Sequence, residues 1–379
     1  MQREYDFIIY GASGYTAAYV IDFFKKEDVR LALAARDISK IVDTDLPKYE
    51  CQVDCIDNIA AKARVLINCA GPYYYHGEDV VKACIRNKTH YMDITGETCF
   101  VELLIKRYHE EAVRNGVYII NCCGFDSVPT DIGVMYLSSM LEKAEIESTL
   151  NISNLVLNKT TWESLIVSVS ILRNSKVLRK KEERSSDKNQ KMHHEKPSVP
   201  YRVIFRGSDY FVIRRSQELL SQVGLQKARF SAYLQLHGMF GVIGYWIMVG
   251  ILWILSGSRA GRWILMHGYR VLTFGVVKKN PSVDEVHKAK FTIKMNGTGE
   301  INGRACTKRL VISGPDPSYI TTSICLTQVA IAFLNALDLQ AENTGVMHFK
   351  GGVITPGCVL FNTDIVKRLT SRGIRFEID

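Results

Sequence analysis

Over the first 145 or so residues, short apolar runs alternate with stretches whose apolar positions return at helical spacing. The runs at 5–10 (YDFIIY), 30–35 (RLALAA), 49–54 (YECQVD), 64–70 (RVLINCA), 90–95 (HYMDIT) and 117–123 (VYIINCC) predict β-strands. Several are apolar without alternation, as parallel strands covered on both faces require. Between them, GEDVVKACIRN and CFVELLIKRYHEEAVRNG read as helices, and the second sets Val101, Leu104, Ile105 and Tyr108 on one stripe. Strands alternating with such helices predict an α/β fold with a Rossmann-type, doubly wound parallel sheet.

The rest of the chain has a different rhythm. RVIFRG and YFVIRR predict strands, as do KAKFTIKMNGTGE and TKRLVISGPDP; YITTSICLTQVAIAFLNAL reads as a strand leading into a helix. GGVITPG (351–357) precedes a last helix, TDIVKRLTSRG, with Thr363 as N-cap and Gly373 as stop. The expected organisation is a dinucleotide-binding domain (1–145), an α+β substrate domain (146–340) and a C-terminal segment (341–379) that returns to the first domain. Two insertions interrupt the middle. Residues 173–200 contain RKKEERSSDKNQKMHHEKP, a solvated loop of mixed charge rather than a nucleic-acid patch. Residues 230–279 contain GMFGVIGYWIMVGILWILSG (238–257), twenty positions without a charge.

That apolar run sits in an interval, between Glu218 and Asp284, that has no acidic residue but carries Lys227, Arg229, Arg259, Arg262, Arg270, Lys278 and Lys279. Cations interleaved with Trp246, Trp253, Trp263 and Tyr245 suit an anionic membrane interface. A helix of ~20 apolar residues is long enough to span a bilayer. Spanning would leave the rest of the substrate domain on the far side from the first domain. A buried or dimer-forming helix is the second alternative. The third, a monotopic insertion into one leaflet, keeps the fold closed, and Gly238, Gly241, Gly244 and Gly250 would permit a bend or close packing there.

Composition narrows the class. An apolar fraction of 47% with 23% charged residues excludes whole-chain disorder. The N-terminus, MQREYD, does not resemble a secretory signal. The ten cysteines form no C-x-x-C pair and mostly lie in strand-like runs, so we expect reduced thiols and a cytosol-facing location. No G-x-S-x-G or H-E-x-x-H pattern supports hydrolase or zinc chemistry, and His193–His194 lacks further ligands, so no metal is expected.

The turn after the first strand reads Gly11-Ala12-Ser13-Gly14-Tyr15-Thr16-Ala17. Glycines there let backbone N–H groups approach a diphosphate, and the helix dipole favours that anion. Gly11, Ser13, Gly14, Tyr15 and Thr16 are therefore cofactor candidates. Strand two ends in Arg36, suited to a 2′-phosphate and hence to NADP; Asp37 beside it would serve NAD instead. Asp54 is expected at the adenine edge, and Asn68, Ala70, Gly71 and Pro72 on the nicotinamide side.

Four segments, GASGYT (11–16), NCAGPYYYHGEDVVKACI (68–85), YMDITGE (91–97) and NCCGFDSVPTDIGV (121–134), together resemble the saccharopine dehydrogenase-like oxidoreductases, and GGVITPG extends the likeness towards the C-terminus. The resemblance implies a dinucleotide-binding domain, a substrate domain and a chain end that returns to the first. It also implies substrates ranging from lipid intermediates in bacterial relatives to amino acids in the saccharopine enzymes. The chain departs from the pattern at Ala17, where glycine is common, and is short between Arg36 and Arg64.

Hydride transfer needs a proton source beside the nicotinamide. Loops at the carboxyl ends of the strands offer Tyr73, Tyr75 and His76 as donors; His76 is favoured because its reference pKa, ~6.5, lies near working pH. Glu97 either orients a cationic substrate or caps the helix after it, and Asp126 bonds the cofactor or its carboxamide. The expected activity is an NADP-preferring reduction of a carbonyl, imine or enoyl group. The expected place is a membrane or lipid-droplet surface, on the endoplasmic reticulum or mitochondrion among others, and lipid or glycolipid metabolism is the expected setting. The alternatives are a soluble saccharopine-type amino-acid dehydrogenase and a cofactor-binding scaffold without turnover.

Overall fold

The computed structural model describes residues 3–42, 44–174, 201–205, 207–341, 349–361 and 363–379; the charged run with His193 and His194 lies outside the described residues. The first domain contains β1 (Tyr5–Tyr10), α1 (Tyr15–Phe24), β2 (Leu31–Ala35), β3 (Lys48–Glu50), α2 (Ile56–Ala60), β4 (Ala63–Asn68), α3 (Tyr73–Arg86), β5 (His90–Asp93), α4 (Thr98–Asn115), β6 (Tyr118–Ile120) and α5 (Val128–Met140). The second begins with β7 (Glu142–Ser153), β8 (Leu157–Asn158), α6 (Lys159–Asn174), β9 (Arg202–Ile204), α7 (Ser208–Ser221) and β10 (Arg229–Gln235). It continues through α8 (Gly238–Ser256), α9 (Arg259–His267), α10 (Tyr269–Leu272), β11 (Val277–Lys278), α11 (Val283–Lys288), β12 (Lys290–Ile301), β13 (Arg304–Gly314) and α12 (Thr322–Ala341). Last come β14 (Gly352–Ile354), α13 (Pro356–Leu360), α14 (Ile365–Ser371) and β15 (Arg375–Ile378).

Seven strands form a parallel sheet in the order β14-β6-β5-β4-β1-β2-β3, the doubly wound arrangement expected from the alternating pattern. β2 is buried at every position and β1 at Phe7, Ile8, Ile9 and Tyr10, since helices cover both faces. The order reverses between β1 and β4, the point where an open α/β sheet forms its ligand crevice. A second, mixed sheet runs β15-β13-β12-β7-β10-β9. One apolar cluster runs through both domains, from Phe7 and Ile9 to Phe291, Ile293 and Phe333.

Three expectations require correction. YFVIRR is not a strand but the first half of α7, whose buried Val212, Ile213, Ser216, Leu219 and Leu220 follow the helical period beyond the two arginines. Residues 319–337 carry no strand: Asp316 caps a turn at Pro317–Thr321 by accepting from the backbone N–H of Tyr319 and Ile320, and α12 continues from it. Burial overrides the β-propensity of its Ile, Thr and Val residues: a helix apolar all round needs apolar surroundings, and the core supplies them to α12. The third predicted strand ends at Glu50, so Asp54 lies on the short 3₁₀ turn Val53–Cys55.

The segment at 238–257 forms one helix, α8, that ends at Ser256 and leaves most of its surface bare. Leu252, with Met248, Ile251 and Leu255, packs on Trp162 and Ile166 of α6 and on Leu265 of α9. Elsewhere Phe240 is 90% exposed, Ile254 68%, Met239 63% and Trp246 57%, and Trp263, Val271 and Phe274 extend this surface beyond α8. Arg173 donates to the Ile254 carbonyl (2.6 Å) and Arg262 to that of Ser256 (2.9 Å), so two cations close the helix C-terminus. Gly261 admits the sharp return into α9: a Cβ there would lie 2.1 Å from the Leu255 oxygen.

Candidate active site

The carboxyl ends of β1, β4, β5 and β6 converge at the reversal point. Gly11 has φ +79°, and a Cβ on it would sit 2.8 Å from the Ala70 nitrogen, so the turns after β1 and β4 are in contact. Gly14 precedes α1 and gives it no side-chain cap, and no acid lies in the first turn. The first N–H groups of α1 are thus free to meet an anion. Ala17 is buried at the sheet face, the place where the third small residue is needed. Ser13 is exposed and Thr16 half-buried at the mouth of this turn.

Arg36 is exposed just beyond β2. Asp37 is occupied: it caps the turn at Ile38–Lys40 by accepting from Ser39 N (3.1 Å) and pairs with Lys40 at 2.7 Å. Bonding to Lys40 and Ser39 holds its carboxyl down at about 2. The acid that would favour NAD is therefore engaged locally, whereas no ion pair among the described residues holds Arg36. Asp54, exposed on its turn, belongs to the same electrostatic neighbourhood around Tyr10.

At the ends of β4, β5 and β6 lies a buried chain of hydrogen bonds. Ala70 N–H donates to Asn68 Oδ1 (2.9 Å), Asn68 Nδ2 to the Tyr91 hydroxyl (3.1 Å), and that hydroxyl to Asp93 Oδ2 (2.9 Å). Asp93 also accepts from Asn121 Nδ2 (2.7 Å), Cys122 N (3.0 Å) and Thr95 N (3.1 Å). Burial pushes its carboxyl up to about 6 even so. The network fixes the ends of β4, β5 and β6 against one another. Asn121 Oδ1 is buried without a partner among the described residues, an acceptor that an amide donor of a bound nicotinamide would satisfy. The cradle at Gly11, the unfilled N–H groups of α1 and this orphaned oxygen fit a dinucleotide.

The predicted proton donors separate. Gly71–Pro72 is a cis peptide that leads into α3. Tyr73 is buried, stacks near Phe100 and donates its hydroxyl to the Asn68 carbonyl (3.2 Å), so it braces the site. Tyr75 and His76 are exposed on the first turns of α3, at the rim. Glu97 caps α3 rather than its own helix, accepting from the backbone N–H of Tyr73 (3.0 Å) and Tyr74 (2.9 Å). Burial raises its carboxyl, and a hydrogen bond from Ser164 of α6 counters part of that shift.

Asp126 reaches solvent but is ringed by protein, which raises its carboxyl above the usual range. It faces Gly96, where Ser208 Oγ also arrives; that hydroxyl donates to the Asp126 carbonyl (3.1 Å). Next along α7, Asp209 is buried, and desolvation with the charge of Asp126 pushes it up to about 7. No local pattern announced Ser164, Ser208 or Asp209, because they reach the site from helices distant in the chain.

Residues 7–120 match the family model described as the saccharopine dehydrogenase NADP binding domain. A saccharopine dehydrogenase-like oxidoreductase of Bos taurus is 30% identical over 432 residues, covering 100% of this chain and 98% of that protein. A lipid droplet localized protein of Caenorhabditis elegans is 27% identical over 428 residues, covering 99% and 98%. Among solved structures, saccharopine dehydrogenase (L-Glu forming) of Saccharomyces cerevisiae shares the fold with a TM-score of 0.55 and 14% identity, covering 99% of this chain and 100% of that one. The cofactor of the N-terminal domain is NADP.

Proposed function

This chain belongs to the saccharopine dehydrogenase-like oxidoreductases, and from that premise we propose that it reduces a carbonyl, imine or enoyl group of a lipidic substrate at a membrane or lipid-droplet surface. The observation that carries the proposal is α8, nineteen residues without a charge whose most apolar stretch is only 6% buried. Leaving Phe240, Trp246, Ile247 and Ile254 in water forfeits about 1.5–3 kcal/mol for each side chain that a lipid surface would cover. Both ends of α8 attach to the same body, through β10 at one end and through Arg173 and Arg262 at the other. A helix so held lies along a membrane rather than across it, the monotopic arrangement. The name of the nematode relative, a lipid droplet localized protein, agrees with this placement.

The link from surface to site runs through α6. One part of that helix packs on α8, while its Ser164 reaches Glu97 and Gly71. A lipid leaving the surface along α6 therefore arrives beside the start of α3. In the proposed site, Gly11, Ser13, Gly14, Tyr15 and Thr16 hold the diphosphate through their backbone. Arg36 holds the 2′-phosphate and Asp54 borders the adenine. Asn68, Ala70, Gly71 and Pro72 border the nicotinamide. NADPH supplies the hydride. Asp209, raised to about 7 by burial and by the charge of Asp126, supplies the proton, and His76 and Tyr75 stand at the entrance.

The test presents one purified protein with NADPH and two substrate pools: cell lipids in phosphatidylcholine vesicles, and soluble amino acids mixed with 2-oxo acids. We expect NADPH consumption and a reduced lipid product with the vesicles alone. Consumption only with the soluble pool would establish the amino-acid dehydrogenase instead. NADPH binding without consumption in either would leave a scaffold.

A further inference from the structure

The bare apolar region rests on a neck of two short strands, whose Leu157 and Val277 pack in the same cluster as Leu252 of α8. β8 directly precedes α6, β11 directly follows the exposed Phe274–Val276 stretch, and the two strands pair in parallel, with Leu157 N–H also donating to the Val276 carbonyl (3.0 Å). Tyr319 bolts this neck to the second domain, because its hydroxyl accepts the Asn158 N–H, and Ser318 Oγ donates to the Val156 carbonyl (3.4 Å).

The other face of Tyr319 meets the cofactor domain. Its ring stands edge-on to Tyr15 (centroids 4.9 Å apart, 87°) and stacks on Tyr19 (5.8 Å, 28°). The Tyr15 hydroxyl donates to the Pro281 carbonyl at 2.7 Å, three residues past the neck. Tyr15 is also the first residue of α1, so its backbone N–H belongs to the phosphate turn while its side chain belongs to the neck.

We propose that Tyr15 is a positioning residue that couples docking at a lipid surface to NADPH binding. Docking of α8 restrains α6 and α9, which pack on it, and with them the neck that precedes α6 and follows α10. The restraint passes through Pro281 and Tyr319 to Tyr15 and steadies the N–H groups that face the diphosphate. Cofactor then binds a turn whose ordering cost has already been met. Linkage makes the effect reciprocal: NADPH must tighten lipid binding by the same factor.

The inference rests on the lipid-surface reading, and the experiment separates the two. NADPH dissociation constants are measured by fluorescence titration on the full chain, with and without phosphatidylcholine–phosphatidylserine vesicles, and flotation is measured with and without saturating NADPH. For the wild type, vesicles tighten NADPH by about fivefold or more, the lower end of common couplings, and NADPH strengthens flotation equally. Tyr15→Phe keeps the ring against Tyr319 but loses the bond to Pro281, and its ratio of the two dissociation constants falls towards one, whatever its affinity alone. A merely structural role would weaken both constants together and leave the ratio intact. Normal flotation with an unchanged NADPH constant in the wild type overturns the coupling and leaves the lipid reading standing. Absence of flotation overturns both. A full vesicle effect in Tyr15→Phe removes Tyr15 from the path.

Discussion

Two helices in this protein, α8 and the span Pro317–Gln340 that contains α12, are each long and apolar enough to cross a bilayer, with mean hydropathies of 2.0 and 1.7. Their surroundings are opposite: 78% of the most apolar window is buried in the second and 6% in the first. Phe333 of α12 meets His90 and Tyr118, with ring centroids 5.3 Å from each, and Gln328 donates to Glu27, so α12 is clamped by the first domain. Among the described residues, α8 packs on α6 and α9 through one side and leaves Phe240, Trp246, Ile247 and Ile254 exposed. Hydropathy measures what a segment avoids, namely water. What it meets instead depends on the elements around it, and here one apolar helix completes a core while the other is left largely exposed.

The contrast breaks most visibly at α12. Phe333→Ala should cost about 3–5 kcal/mol of unfolding free energy in a denaturant titration, the usual loss for a phenylalanine removed from a packed core. A loss below about 1 kcal/mol would mean that α12 is no more embedded than α8. Its counterpart, Phe240→Asp with Ile247→Asp, should shift unfolding by no more than about 0.5 kcal/mol per site, as surface changes do, while abolishing flotation with vesicles. A large destabilisation would show that α8 is packed in solution.

The first domain should show its choice of cofactor whether or not α8 is docked. Arg36→Ala removes a charge-assisted bond worth about 1.5–3 kcal/mol, roughly 10- to 100-fold in NADPH affinity, and should leave NADH nearly unchanged. Equal losses for the two cofactors would place the 2′-phosphate elsewhere. The mildest effect is on pH. Asp209 donates only while protonated, so kcat/KM for reduction should be level below about 7 and fall as pH rises above it. Asp209→Asn should lower the plateau and erase that limb, whereas His76→Ala should keep it. The reverse result would return the proton to His76.

The parallel sheet was legible because its strands are apolar runs at intervals that only a doubly wound fold accommodates, and the phosphate turn was legible because Gly11 and Gly14 follow the first of them. The missed elements have physical causes. YFVIRR imitates a strand over six residues, and only the burial of Ser216, Leu219 and Leu220 further on shows the helical period. Asp316–Pro317 was an N-cap signal hidden within a strand-like sentence of Ile, Thr and Val. At the site, pattern alone identified Asp126, Glu97 and Tyr73 but not their tasks. Glu97 serves α3 across 24 residues of chain, and Asp209 approaches Asp126 only through the packing of α7 beside α5.

The central claim, that α8 and its neighbours rest on a lipid surface, is tested most directly by tryptophan quenching with brominated phospholipid vesicles. Of the four tryptophans, Trp246, Trp253 and Trp263 are 57%, 40% and 62% exposed in the apolar region, while Trp162 is buried beneath it. Single-tryptophan variants retaining Trp246 or Trp263 should be strongly quenched by bromine in the acyl chains, and the variant retaining Trp162 should not. Equal, weak quenching of all three would contradict the account.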